Sequence, residues 1–182
     1  MKKLTIIKIG GNIVDHPKKL DTFIQLFVKL DGLKILVHGG GKIATQVSKS
    51  LGITSEMIEG RRVTDQETIK VVTMVYAGLV NKSIVAKLQS HNKNAIGLSG
   101  ADANVIRAHK RIVNKGAVDY GFVGDIDAVD CEFLTSLLNN EKIPVIAPIT
   151  HNGKGQLLNT NADTIASEVA ISLSNYFETT LL

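Results

Sequence analysis

Apolar positions along the chain follow two alternating periods. Short β-branched runs at residues 4–9, 33–37 and 94–98 end in Gly10-Gly11, His38-Gly39-Gly40-Gly41 and Ser99-Gly100. Between them lie longer segments with apolar residues three and four apart, such as Leu20, Phe23, Ile24, Phe27 and Leu30. This order predicts βαβ units around a mainly parallel sheet, with helices over residues 17–30, 42–51, 65–90, 131–139 and 161–174. The third of these is the longest. Thr64 and Glu67 form a capping-box pattern at its start, and its apolar residues cover more than one stripe. Such a helix is either internal or buried against a partner. Residues 103–129 read as hairpins around Gly116, Gly121 and Gly124, residues 143–149 as a buried strand, and Asn152-Gly153 as a turn. A last strand begins at Phe177 and runs to Leu182 without a turn residue or polar tail, which leads us to expect further protein beyond it.

Composition narrows the class of function. Of the 182 residues, 44% are hydrophobic and 21% charged, which excludes a disordered chain. The net charge of +4 suits an anionic ligand but is too small and scattered for nucleic acid. The densest basic stretch, Arg107, Lys110, Arg111 and Lys115, lacks stacking aromatics and reads as a solvated face. Cys131 is the single cysteine, so an internal disulfide and a Cys-based zinc cage are excluded. There is no run of 18 apolar residues to span a membrane. The first apolar stretch is broken by Lys8 and does not form a signal peptide. A cytoplasmic setting is expected.

The chemistry is concentrated at the predicted strand ends. In an open parallel sheet these ends form the ligand crevice, and helix N-termini there present unpaired amides to anions. Gly10-Gly11 and Gly39 to Gly41 either make tight turns only or let the backbone approach a phosphate or carboxylate. Lys8 interrupts a buried run, so its ammonium either snorkels to water or is held over a phosphoryl group. Asn161 is a natural N-cap and Asp163 complements the helix dipole, whereas Asn159 has no such local explanation. Several familiar motifs fail. Gly39-Gly40-Gly41-Lys42 continues with Ile43 rather than Ser or Thr, Ala44 breaks a dinucleotide fingerprint, and Ser99 lacks the glycine spacing of a hydrolase elbow.

Five motifs occur in order: Lys8-Ile9-Gly10-Gly11, Val37-His38-Gly39-Gly40-Gly41, Gly60-Arg61-Arg62-Val63-Thr64, Gly97-Leu98-Ser99-Gly100-Ala101-Asp102 and Asn159-Thr160-Asn161-Ala162-Asp163. Together they resemble acetylglutamate kinases of the amino acid kinase family, which serve arginine biosynthesis. The resemblance covers the chain and implies a three-layer αβα sandwich. It implies transfer of the ATP γ-phosphoryl group, with Mg2+, to the side-chain carboxylate of N-acetyl-L-glutamate or another N-acyl-L-glutamate. Carried over by position, Lys8 stabilises the transferring group and Asp163 holds the catalytic lysines. Gly40 and Gly41 offer amides to the substrate, while Gly10 and Gly11 contact phosphate. Arg62, rather than Arg61, pairs with the α-carboxylate, helped by Asn159. No protein-bound metal is implied. A homodimer through the long helix is.

The pattern departs from the family in two respects. Ala101 stands where the family has lysine, and no Lys or Arg follows Lys154. The second departure leads us to expect that residues 1–182 form one domain, the acylglutamate-binding N-terminal portion, without the nucleotide-binding half and without ATP turnover. Two other readings remain: a non-catalytic acylglutamate-binding or regulatory module on the same scaffold, and a related kinase acting on aspartate or carbamate.

Overall fold

The computed structural model describes residues 1–54, 56–58, 61–112 and 118–182; Gly60, Lys115 and Gly116 lie outside these. The chain opens with β1 (Lys3–Ile9), one helical turn α1 (Gly11–Val14), α2 (Pro17–Phe27), β2 (Leu33–His38) and α3 (Gly41–Ser50). A short antiparallel pair, β3 (Met57–Ile58) and β4 (Arg61–Arg62), leads to one continuous helix over Gln66–Ser90. Its ends, α4 (Gln66–Thr73) and α5 (Asn81–Ser90), are α-helical, while its middle, Met74–Val80, is π-helical. There follow β5 (Ala95–Leu98), β6 (Ile106–Lys110), β7 (Gly124–Val129), α6 (Cys131–Asn139) and β8 (Ile143–Ile146). The chain then forms β9 (Ile149–His151), β10 (Leu157–Asn159), α7 (Ala162–Leu173) and β11 (Glu178–Leu181).

The main sheet has the order β11-β1-β2-β8-β5, with every neighbouring pair parallel. A parallel sheet is stable only when both faces are covered, and the alternation within β1 provides for both. Leu4 and Ile6 pack with Leu134, Val169 and Leu173 of α6 and α7. Ile7 and Ile9 join the opposite core with Ile24 and Phe27 of α2 and Ile84 and Leu88 of α5. The result is the expected three-layer αβα sandwich. The long helix has the length and composition to cross a bilayer, yet Ile69, Val72, Ile84 and Leu88 place its apolar face in this core.

Because the strands are parallel, their carboxyl ends share one edge. A second sheet, β10-β9-β6-β7, grows directly from the chain leaving β5 and β8 there. The antiparallel pairing of β6 with β7 is the expected hairpin.

The structure corrects the sequence reading at four places. The strand expected over 143–149 is two strands in different sheets, because Pro148 separates β8 from β9 and cannot donate to a ladder. Helix α2 stops at Phe27 rather than residue 30, and the buried Lys34 ammonium donates to the carbonyls of Phe27 and Leu30 beyond its end. The centre of the long helix is π-helical. Its cap is Asp65, whose carboxylate accepts from the Thr68 amide at 2.7 Å and is held below its usual pKa chiefly by that bond. Thr64 is instead fully buried, and Glu67 pairs with Lys70.

The cap makes a direct prediction. Asp65→Ala should lower unfolding free energy by about 1 kcal/mol in urea titrations, whereas Glu67→Ala should change it by less than about 0.5 kcal/mol. The reverse ranking would restore the capping box.

Candidate active site

Two glycine turns meet at the carboxyl ends of β1 and β2. Gly10 caps α1 and Gly40 caps α3. The Gly39 amide donates to the Ile9 carbonyl at 2.8 Å, and a Cβ on Gly39 would lie 3.8 Å from Gly10 Cα. The turns are therefore in contact. Gly40 has φ +156°, and a Cβ there would press on Tyr76 and Val80 at 3.3 Å, so a side chain is disfavoured twice. A Cβ on Gly41 would meet nothing within 4 Å; this residue opens onto the cleft.

Lys8 lies on the face of β1 covered by α7. Its Nζ is 2.8 Å from Asp163 Oδ1 and 3.5 Å from the position a Gly10 Cβ would take. Asp163 is in the first turn of α7, where Asn161 caps the helix by accepting from the amides of Asp163 and Thr164. Lys8 is one-quarter exposed and Asp163 two-thirds exposed, so their ion pair orients the ammonium more than it stabilises the fold. In the same turn as Gly10, a Cβ on Gly11 would come within 2.6 Å of Asp15 Oδ2. Burial pushes the Asp15 carboxyl up, while Lys42 opposes the shift.

Arg62 is only 6% exposed. Its Nη2 donates to the Gly41 carbonyl at 2.9 Å and to Thr45 Oγ1 at 2.7 Å. Asn159 Nδ2 donates to Thr64 Oγ1 at 3.0 Å, and that hydroxyl donates to the Arg62 carbonyl at 3.0 Å. Thr64 thus joins Arg62 and Asn159 and is buried for that reason. Gly41, Arg62 and Asn159 line one cleft together with Arg61, Tyr76 and Arg111. Lys8, Gly10, Gly11, Gly40 and Asp163 do not line it; they sit against its wall through Gly39, Tyr76 and the start of α7.

The sequence reading did not single out two of these cleft residues. Arg111 belongs to a stretch read as a solvated face; Arg107 and Lys110 are exposed, but Arg111 faces the cleft and grips Asp125 through Nε and Nη2. Those donors hold the Asp125 carboxyl below its usual range. Only its position just past β6 could have signalled this. Tyr76 is one apolar residue among many in the long helix. Burial pushes its hydroxyl pKa up, and the neighbouring Arg62 guanidinium opposes this. Ser99 donates to Asp102 at 2.8 Å through its hydroxyl, a turn-closing role rather than a nucleophile's.

His38, at the end of β2, is fully buried, with Nδ1 2.8 Å from the Gly39 carbonyl and Nε2 3.1 Å from Asn81 Nδ2. Burial pushes its pKa down from 6.5 to about 4, so the ring is neutral at pH 7. Between those values the unfolded chain binds a proton that the native ring refuses, so stability falls as pH falls. The loss should reach roughly 3 kcal/mol by pH 4. Urea titrations at pH 7, 5.5 and 4 should show this drop in the wild type beyond any drop in His38→Asn; parallel profiles would show that His38 does not contribute it.

The sequence profile of the amino acid kinase family matches residues 3–175. The acetylglutamate kinase of Cytophaga hutchinsonii is 57% identical over 182 residues, covering 100% of this chain and 69% of the relative. That of Bacteroides fragilis is 55% identical over 181 residues, covering 100% and 69%. Among solved structures, a Streptococcus mutans protein superposes with TM-score 0.76 at 26% identity, over 94% of this chain and 69% of that one. N-acetylglutamate synthase from Neisseria gonorrhoeae gives TM-score 0.78 at 24% identity over 100% and 41%, a likeness of fold. With its strand-end glycine turns and its cleft arginine, the chain belongs to the amino acid kinase family and, within it, to the acetylglutamate kinases.

Proposed function

We propose that the protein transfers the γ-phosphoryl group of ATP to the side-chain carboxylate of N-acetyl-L-glutamate in the cytoplasm, and that residues 1–182 carry the acylglutamate-binding domain. The observation that carries this reading is the meeting of the Lys8 turn, the Gly39–Gly41 turn and the Arg62–Asn159 wall at one edge of the sheet.

The acceptor carboxylate has a reference pKa of about 4.3 and is ionised at neutral pH, so the reaction needs no general base. What opposes it is the approach of one anion to another. The residues answer that obstacle with donors. The Lys8 ammonium, oriented by Asp163, lies beside Gly10 and neutralises charge on the transferring group. The amides of Gly40 and Gly41 have no acceptor among the described residues and face phosphoryl and substrate oxygens at the start of α3. Gly10 and Gly11 leave room for that group. Arg62 takes the substrate α-carboxylate through its permanently charged guanidinium, and Asn159 adds a further donor. This donor set fits a phosphoryl group. Mg2+ brought by the nucleotide would supply further charge neutralisation.

Calorimetric titration with acetylglutamate tests the carboxylate assignment. Arg62→Ala should bind ten- to a hundredfold more weakly, the equivalent of about 1.5–3 kcal/mol for hydrogen bonds to a charged group. Equal binding by both proteins would overturn the assignment. In an assay of ADP release by protein that includes a nucleotide-binding half, Lys8→Met should lower kcat on the order of 10²- to 10³-fold.

We further propose a homodimer through the long helix. Val75 points inward and is 2% exposed, but Met74 and Leu79 are 55% and 56% exposed on the same helix. Leu79→Glu should convert a dimer to a folded monomer in sedimentation, and an unchanged sedimentation coefficient would exclude this face.

A further inference from the structure

Behind the glycine turn lies a buried polar network that the phosphoryl-transfer chemistry does not itself use. Asn81, the first residue of α5, is fully buried. Its Nδ2 donates to the Val145 carbonyl at 2.9 Å, and its Oδ1 accepts from Lys82 Nζ at 3.2 Å. Those contacts fix which end of the amide faces which way, because a carbonyl can only accept and an ammonium can only donate. The remaining Nδ2 proton therefore points at His38 Nε2, 3.1 Å away, and Nε2 must be the accepting nitrogen. The single ring proton is left on Nδ1, where it donates to the Gly39 carbonyl at 2.8 Å.

This tautomer has a geometric consequence. In a trans peptide the carbonyl and the following N–H point in opposite directions. A Gly39 carbonyl held inward by His38 turns the Gly40 amide outward. The π-helical segment assists, because i→i+5 bonding brings residues five apart onto one face. Tyr76 and Val80 stand over Gly40, each 3.3 Å from where a Cβ on it would lie, while Asn81 reaches His38. Gly97 of β5 leaves the necessary room: a Cβ there would lie 1.9 Å from Asn81 Oδ1.

We propose that His38 and Asn81 are positioning residues for phosphoryl transfer: an imidazole bearing its proton on Nδ1, fixed by the Asn81 amide, holds the Gly39 carbonyl inward and so aims the Gly40 amide at the substrate oxygens. The proposal rests on the reading that this turn receives the substrate. His38→Asn keeps a donor near the Nδ1 position, whereas His38→Leu removes it.

Nitrogen-15 spectra of the wild-type imidazole should show a protonated Nδ1 and a bare Nε2 at pH 7; a protonated Nε2 would overturn the inference. With acetylglutamate as the probe, His38→Leu should bind at least tenfold more weakly than wild type and lose the shift of the Gly40 amide resonance. His38→Asn should bind within about threefold of wild type and keep that shift, although both variants lower the thermal midpoint. Equal losses of affinity in the two variants would make His38 merely structural and overturn the proposal. A wild-type protein that does not bind acetylglutamate would overturn the substrate reading instead, and the ring nitrogens would still decide the tautomer.

Discussion

The bond from the Gly39 amide to the Ile9 carbonyl joins the ends of β1 and β2, and the cleft is organised around it. It holds the two glycine turns together, a Cβ on Gly39 lying 3.8 Å from Gly10 Cα. It also brings the loop before α3 against Gly10, the glycine beside Lys8. A parallel sheet supplies the frame for this, since every β strand reaches the same edge with its carboxyl end. Helices that begin there leave amides without intrahelical partners. The crowding of donors that an anionic reaction requires is thus a by-product of topology, sharpened by glycine at the points of closest approach.

Much of this was legible in the sequence. The helix over 131–139 and the Asn161 cap carry strong local signals, because an apolar stripe and a side-chain acceptor act within a few residues. What was not legible was decided by distant partners. Thr64 and Asp65 are adjacent N-cap residues, and local chemistry cannot rank them. The choice follows from the backbone of Thr64, which pairs with Tyr120 and Phe122, and from its hydroxyl, which serves Asn159. The π-helical segment holds no proline, and its apolar run, Met74–Val80, reads equally as buried α-helix. Arg111 differs from its exposed neighbours Arg107 and Lys110 only by its place just past β6. The candidate site residues were found from motifs; their sorting into cleft-lining and wall residues needed coordinates.

Four of the buried polar residues form two pairs, one on each side of the cleft. His38 and Asn81 stiffen the wall formed by the glycine turn. On the facing sheet, Thr150 and Thr160 share a hydroxyl contact of 2.8 Å around Gly124, where a Cβ would lie within 2.9 Å of both oxygens. Thr160 precedes the Asn161 cap, so this second network fixes the start of α7 and, through Asp163, the Lys8 ammonium. Apolar side chains could fill both places at less risk to stability, because a buried polar group left unpaired is costly. Retaining satisfied networks on both sides of the cleft gives each wall one arrangement. For a reaction between two anions, donors that need not reorganise are worth more than additional core packing.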